Sequence, residues 1–174
     1  MHSLSTVLLS SSRPLPQHVD SFFKELKYLE ENGLDTSRIK ISPRAHITTQ
    51  GHIAIDVAKY KDQGTTSSGI APFYSDKYAR KGIRACNVDS LKQYIWDKQL
   101  WGNILCGGAH GFWLDINHGN YPNVTSSTTL SYSACSSGFP PQKINKIIRA
   151  SKIYDTRSGT TLYFQKTYLK TRNY

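Results

Sequence analysis

The chain has no Cys-x-x-Cys pair, and its three cysteines, Cys86, Cys106 and Cys135, stand far apart in sequence. That spacing argues against a structural zinc site. An odd count without close pairs points to reduced thiols in a cytoplasmic compartment rather than to a disulfide framework. Long apolar runs are missing as well. The patch Val7-Leu8-Leu9 lies among serines and is too short for a signal peptide, and nothing later is long enough to span a bilayer, so no membrane partner is expected. Acidic residues are scarce, with 12 Asp+Glu against 22 Lys+Arg and a net charge of +10. Such an excess draws anions, whether phosphorylated metabolites or nucleic acid. The basic residues fall into small scattered clusters, Lys77/Arg80/Lys81/Arg84, Lys143/Lys146/Arg149/Lys152 and Lys166/Lys170/Arg172. No zinc-finger spacing and no RNA-recognition aromatic motif accompanies them, so a nucleic-acid interface is not expected and a polyanion binder is the weakest reading. Internal repeats are absent.

Aromatic residues are plentiful. Eleven Tyr, six Phe and three Trp in 174 residues argue for a packed chain of one domain. Residues 1–17, broken by serines, Pro14 and Pro16, read as an irregular leader ahead of a single domain over 18–174. Val19, Phe22, Phe23, Leu26 and Leu29 recur at helical spacing, and Gly33 stands where a helix stops. Arg38 to Ser42 alternates like a short strand. Ser42-Pro43 offers the cap and first turn of a helical segment running toward Lys59. Residues 61–69 are loop chemistry. Val88, Leu91, Ile95 and Leu100 predict a helix over 88–101. Asn103 to Cys106 reads as a buried strand feeding Gly107-Gly108. Residues 117–139 are loop-like. Ile144, Ile147, Ile148 and Ile153 predict a helix over 141–153, and the tail from Leu162 offers one more strand. Helices alternating with short strands predict an α/β arrangement.

Two blocks carry the chemistry. The first begins Gly64-Thr65-Thr66-Ser67-Ser68-Gly69-Ile70-Ala71-Pro72. Glycines let backbone amides turn toward a phosphate, and hydroxyls add donors without bulk. It continues through Asp76-Lys77 to Arg80-Lys81-Gly82-Ile83-Arg84. The second reads Gly107-Gly108-Ala109-His110-Gly111, then Leu114-Asp115-Ile116-Asn117-His118-Gly119-Asn120-Tyr121-Pro122, then Val124-Thr125-Ser126-Ser127. In this order the blocks resemble the inosinate-binding core of the adenylosuccinate synthetase family, whose strings are Gly-Thr-Thr-Gly-Arg-Gly-Ile-Gly-Pro, Glu-Gly-Ala-Gln-Gly and Leu-Asp-Ile-Asp-His-Gly-Thr-Tyr-Pro. Leu34 to His46 and Tyr154 to Gly159 are also similar to the family's runs.

The resemblance implies an α/β fold, mostly parallel sheet with flanking helices, here partial and incomplete, with a shortened connection at 85–103. It implies that Thr66 and Thr125 contact the 5′-phosphate of inosinate (IMP), and that Arg80 reaches across a dimer to the partner's phosphate. His110 falls where the family has an inosinate-contacting glutamine, and Gly107 replaces an acid. Ser67, Ser68 and Ala71 depart from the family's Gly, Arg and Gly. His46, His52, Asp115 and His118 tempt a catalytic or metal reading, but the resemblance places them in structural segments. The implied reaction joins IMP and aspartate in a GTP- and magnesium-dependent step, with an aspartate base, a histidine acid and a C-terminal guanine-binding part. The strings Gly-Asp-Glu-Gly-Lys-Gly-Lys and Asn-Ala-Gly-His that carry the base, acid and phosphate cradle do not occur in these 174 residues. The expectation is therefore partial IMP binding with no catalytic residues, no metal ligands and no GTP site. Pairing with a second copy or with a full-length synthetase is also expected. Without the family's first strand the sheet is expected to leave an edge unpaired.

Overall fold

The fold was obtained as a computed structural model, which describes residues 7–9, 18–60, 65–108, 110–129, 135, 138–150 and 153. Helix α1 spans Val19–Glu31. Its apolar residues share one face, and Phe22 and Leu26 are buried by it. The His18 ring accepts the Asp20 N–H at its start. At its end the Gly33 N–H bonds the Glu30 carbonyl, with Gly33 at φ +75°. The helix and its stop thus follow the sequence spacing.

Two three-residue strands, β1 (Val7–Leu9) and β2 (Ile39–Ile41), pair in parallel with Val7 opposite Ile39 and Leu9 opposite Ile41. Part of the supposed irregular leader is therefore a strand. Its partner lies far along the chain, so no local signal marks it. β2 has a second neighbour. Ile95 forms a parallel bridge with Ile41, and the Trp96 N–H bonds the Ile41 carbonyl at 2.9 Å. This pairing corrects the helix expected over 88–101. Val88 and Ile95 are extended, and only a tight 3-10 turn, Asp89–Tyr94, fits between them. Leu91 still enters the core.

That core gathers Phe22, Leu26, Ile41, Ala45, Ile47, Ala85 and Leu91, with Phe23 and Tyr94 against it. Each large side chain buried there stabilises the fold by about 2 kcal/mol. Phe22, Phe23 and Tyr94 meet edge to face.

The helix expected after Ser42-Pro43 starts later. α2 spans Gln50–Lys59, and its cap is Thr49, whose hydroxyl accepts the His52 N–H. Residues 45–47 are held extended instead. Ala45 accepts the Ala85 N–H at 2.7 Å, Ile47 donates to the Ile83 carbonyl, and His46 bridges Arg84 in antiparallel fashion. α3 spans Ile70–Tyr78 and packs on α2, with Phe73 and Tyr74 buried.

Two further expectations are corrected. Asn103 to Cys106 forms no strand, and Leu105 is 90% exposed. β1 and Ile95 already occupy the two sides of β2, so the run does not pair with that strand. Pro141–Lys143 is a single 3-10 turn, and residues 144–150 are not helical. Ile147 and Ile148 are exposed. Short helices draw their stability from packing, and this isoleucine face has no apolar surface against it among the described residues. The tail strand expected from Leu162 and the segment Tyr154 to Gly159 lie outside the described residues. No helix among the described residues is long and apolar enough to cross a membrane.

Candidate functional site

The loop Thr65–Gly69 is built around a carboxylate. Asp56, on α2, is buried. Its Oδ2 accepts the Gly69 N–H at 2.7 Å, and its Oδ1 accepts the Thr65 hydroxyl at 3.2 Å. The Ser67 N–H donates to the Thr65 hydroxyl oxygen, and the Thr66 hydroxyl donates to Ser68 Oγ at 3.0 Å. Gly69 then caps α3 with φ +75° and no side-chain cap. A Cβ at Gly69 would lie 2.9 Å from backbone atoms of His52 and Ile53, so only glycine lets the loop come this close to α2. The first amides of α3 have no intrahelical acceptor, and a helix N-terminus favours anions. Thr66, exposed in this loop, stands just ahead of that terminus.

Ser67 has φ +52°. It occupies a position where the family string has glycine, and the left-handed backbone costs a side-chain-bearing residue roughly 1–2 kcal/mol. Arg80 has φ +63° and sits just past the other end of α3. There the Arg80 N–H bonds the Lys77 carbonyl, while the Lys81 and Gly82 N–H groups close onto the Asp76 carbonyl.

His52 holds the two helices together. Its Nδ1 accepts the Thr49 N–H, so its Nε2 carries the proton and donates to Asp76 Oδ2 at 3.1 Å. His46 packs edge to face on Phe73. Burial, then the charges of Lys77 and Arg84, hold its pKa below the ordinary 6.5, against a smaller opposing pull from the Arg44 backbone. The unfolded imidazole therefore takes its proton first. The stability contributed by neutral His46 is complete above pH 6.5 and is lost as pH falls through the lower folded value. Denaturant unfolding at pH 7.5 and 5.5 is expected to show lower stability at 5.5, with a smaller difference in His46→Gln.

The second block is a knot tied by Asp115, which is fully buried. Its Oδ1 accepts the Asn117 and His118 N–H groups, and its Oδ2 accepts the Thr129 N–H at 2.7 Å. Burial pushes its pKa up, but the Thr129, Asn117 and His118 amides and the His118 charge together hold it below the ordinary 3.8. The Gly119 N–H bonds the Asp115 carbonyl, and a Cβ on Gly119 would strike that oxygen at 2.6 Å. Thr125 is half-buried, and its N–H bonds the Leu114 carbonyl at 2.8 Å. His110 is exposed at the entrance to this knot. Among the described residues, the backbone and Asp115 hydrogen bonds of residues 111–129 run within the segment. Thr66 and Arg80 are thus placed at opposite ends of α3, whereas Thr125 belongs to the Asp115-centred knot that follows His110 in the chain.

The sequence pattern described as adenylosuccinate synthetase matches residues 16–101 and 86–170. The chain belongs to the adenylosuccinate synthetase family. An adenylosuccinate synthetase from Helicobacter hepaticus is 35% identical over 182 residues, covering 72% of this chain and 44% of the relative. One from Limosilactobacillus reuteri is 31% identical over 196 residues, covering 80% and 45%. The chain therefore spans less than half the length of these relatives. A fully ligated adenylosuccinate synthetase from Plasmodium falciparum shares the fold, with a TM-score of 0.63 at 22% identity over 83% of this chain and 46% of that one. Since 72% of 174 residues is about 125, about 57 of the 182 aligned positions of the Helicobacter protein have no counterpart here. The Limosilactobacillus protein gives the same difference, about 139 residues against 196.

Asp56 is the residue that sequence reasoning missed. Its one local sign is a lone acid inside Ile53-Ala54-Ile55-Asp56-Val57-Ala58, an otherwise apolar stretch of α2.

Proposed function

We propose that these 174 residues are a truncated, divergent adenylosuccinate-synthetase-like unit that binds IMP in part and does not complete the ligation. The observation that carries the binding half is the Thr65–Gly69 loop, fixed by Asp56 and opening onto the N-terminus of α3. Thr66 and Thr125 supply hydroxyls to the 5′-phosphate, and His110 faces the nucleoside in place of the family's glutamine. A neutral imidazole offers one donor and one acceptor in a different geometry from an amide, so that contact is weakened.

Arg80 serves another molecule. A nine-residue helix is about 13 Å long, and Thr66 and Arg80 flank α3 from its two ends. Their places at the two ends of the helix are compatible with contacts to two different ligands. This supports a dimer in which Arg80 reaches the partner's ligand, the partner being a second copy or a full-length synthetase. Guanidinium suits that task because it is always charged and forked. The second pairing would make this chain a non-catalytic interaction protein.

The incomplete half rests on missing parts. The overlap of the two family matches at 86–101, together with about 57 unmatched positions in the relatives, supports a shortened connection at 85–103. A larger, mostly parallel sheet is part of this reading, with β1 and β2 as its described portion. The residues present do not fit GTP and magnesium. The family's phosphate-loop string, which would cradle the GTP phosphates with magnesium, does not occur in these 174 residues. Loss of one member of a cooperating site costs several powers of ten in rate, and here the aspartate base and histidine acid strings are both absent.

Arg80→Gly separates the two roles of this position. Removing the left-handed strain is expected to raise stability by about 1 kcal/mol. Loss of the guanidinium is expected to weaken IMP binding at dimer-forming concentrations at least tenfold. Higher stability with unchanged binding contradicts the trans contact. With IMP, aspartate, GTP and magnesium supplied, the chain alone is expected to form no adenylosuccinate, and measurable product contradicts the proposal.

A further inference from the structure

Phe112 and Trp113 lie between Gly111 and Leu114, at the two positions that neither family string fixes. Both are about half exposed, at 48% and 50%. Their rings meet edge to face at 5.4 Å, and the His118 ring lies nearly parallel to Phe112, at 17° and 6.4 Å. A large aromatic left in water forgoes the stabilisation that burial would give it.

These rings stand on a fixed base. Phe112–Leu114 is one turn of 3-10 helix. The Thr129 hydroxyl donates to the Gly111 carbonyl at 3.1 Å, the Asn120 N–H bonds the Trp113 carbonyl at 3.0 Å, and buried Asp115 ties the turn that follows. The same knot holds Thr125, whose N–H bonds the carbonyl of Leu114, the residue next to Trp113. The exposed aromatic pair is thus tied, through the backbone of Leu114, to the residue assigned to the phosphate.

We propose that Phe112 and Trp113 form an aromatic site for the purine base of the bound monophosphate, one ring stacking on its face and the other meeting its edge, with His118 as a third ring. The inference rests on the IMP-binding reading above and adds the group that recognises the base. A purine presents a flat π-face that a ribose phosphate lacks. Stacking on aromatic side chains is tolerant of base identity and needs no lost amide contact, which fits a chain with His110 where the family has glutamine.

Calorimetric titrations with IMP and with ribose 5-phosphate test this, using the whole chain and the variants Trp113→Ala, Phe112→Ala, Trp113→Phe and Thr125→Val, each checked for native circular dichroism. The wild type is expected to bind IMP about ten- to a hundredfold more tightly than ribose 5-phosphate. Trp113→Ala and Phe112→Ala are expected to lose most of that advantage while leaving the ribose 5-phosphate affinity unchanged. Trp113→Phe keeps a ring and is expected to retain most of it, and Thr125→Val is expected to weaken both ligands alike. An undiminished IMP advantage in both alanine variants overturns the aromatic site and leaves the binding reading intact. Equal affinity of the wild type for the two ligands does the same. Binding of neither ligand by the wild type overturns the binding reading and the aromatic site with it.

Discussion

Asp56→Ala is expected to lower stability by about 3 kcal/mol and to weaken IMP binding at least tenfold. The carboxylate accepts two hydrogen bonds in a buried setting, from the Gly69 N–H and the Thr65 hydroxyl. Alanine leaves the Gly69 amide without an acceptor where water does not replace it, and an orphaned buried donor costs more than a normal bond contributes. The stability loss corresponds to a fall in melting temperature of roughly 6–12 °C for a chain of this size. Binding suffers separately, because the loop that presents Thr66 loses both of its anchors to α2. Asp56→Asn is expected to fall between. Its amide oxygen still accepts from Gly69, and the Thr65 hydroxyl turns to accept from its NH2. Thermal unfolding followed by circular dichroism, with calorimetry of IMP on the same samples, checks both effects. An alanine variant as stable as wild type contradicts the role given to Asp56.

Gly69→Ala is expected to cost about 4 kcal/mol. Two effects add. At φ +75° a Cβ is unfavourable even in open space. Here it also meets the carbonyl carbon of His52 and the amide nitrogen of Ile53 at 2.9 Å, and neither backbone atom swings aside as a side-chain tip would. Relief requires α3 to move away from α2, which loosens Phe73 and the His52–Asp76 contact together. Gly107→Ala is the control, since a Cβ there has no neighbour within 4 Å and is expected to change stability by less than about 0.5 kcal/mol. Denaturant unfolding of the two variants beside wild type measures the difference, and comparable small effects contradict the close approach.

The parts of the fold legible in the sequence are those whose cause is local. α1 follows from apolar spacing on one face and a glycine that accepts a left-handed backbone at its end. β2 follows from its alternation. The segments 88–101 and 141–153 have good apolar spacing too, yet their described residues form only short 3-10 turns. Spacing states which face wants burial and not whether anything is there to bury it. Ile95 was taken by the β2 ladder, and Ile147 and Ile148 found no facing surface among the described residues. α2 starts later than Ser42-Pro43 suggests because Ala45 and Ile47 bond to residues of the 83–85 segment, a pairing that only the folded chain reveals.

The site divides in the same way. The glycines and hydroxyls of residues 64–69 mark a loop by composition, and the family strings mark Thr66, Arg80, His110 and Thr125. Asp56 is hidden because its partner amide belongs to a loop beyond the end of its own helix. The departure of Ser67 from glycine is visible in the sequence, but its left-handed backbone is not. Arg80 carries the same conformation at the far end of α3, and strained residues of this kind gather at functional positions.

A calorimetric titration of the purified 174-residue chain with IMP, without GTP or aspartate, bears on the central claim most directly. Saturable heat that weakens at least tenfold in Thr125→Val is the predicted result. Absence of heat at millimolar IMP, or heat unchanged in Thr125→Val, contradicts it.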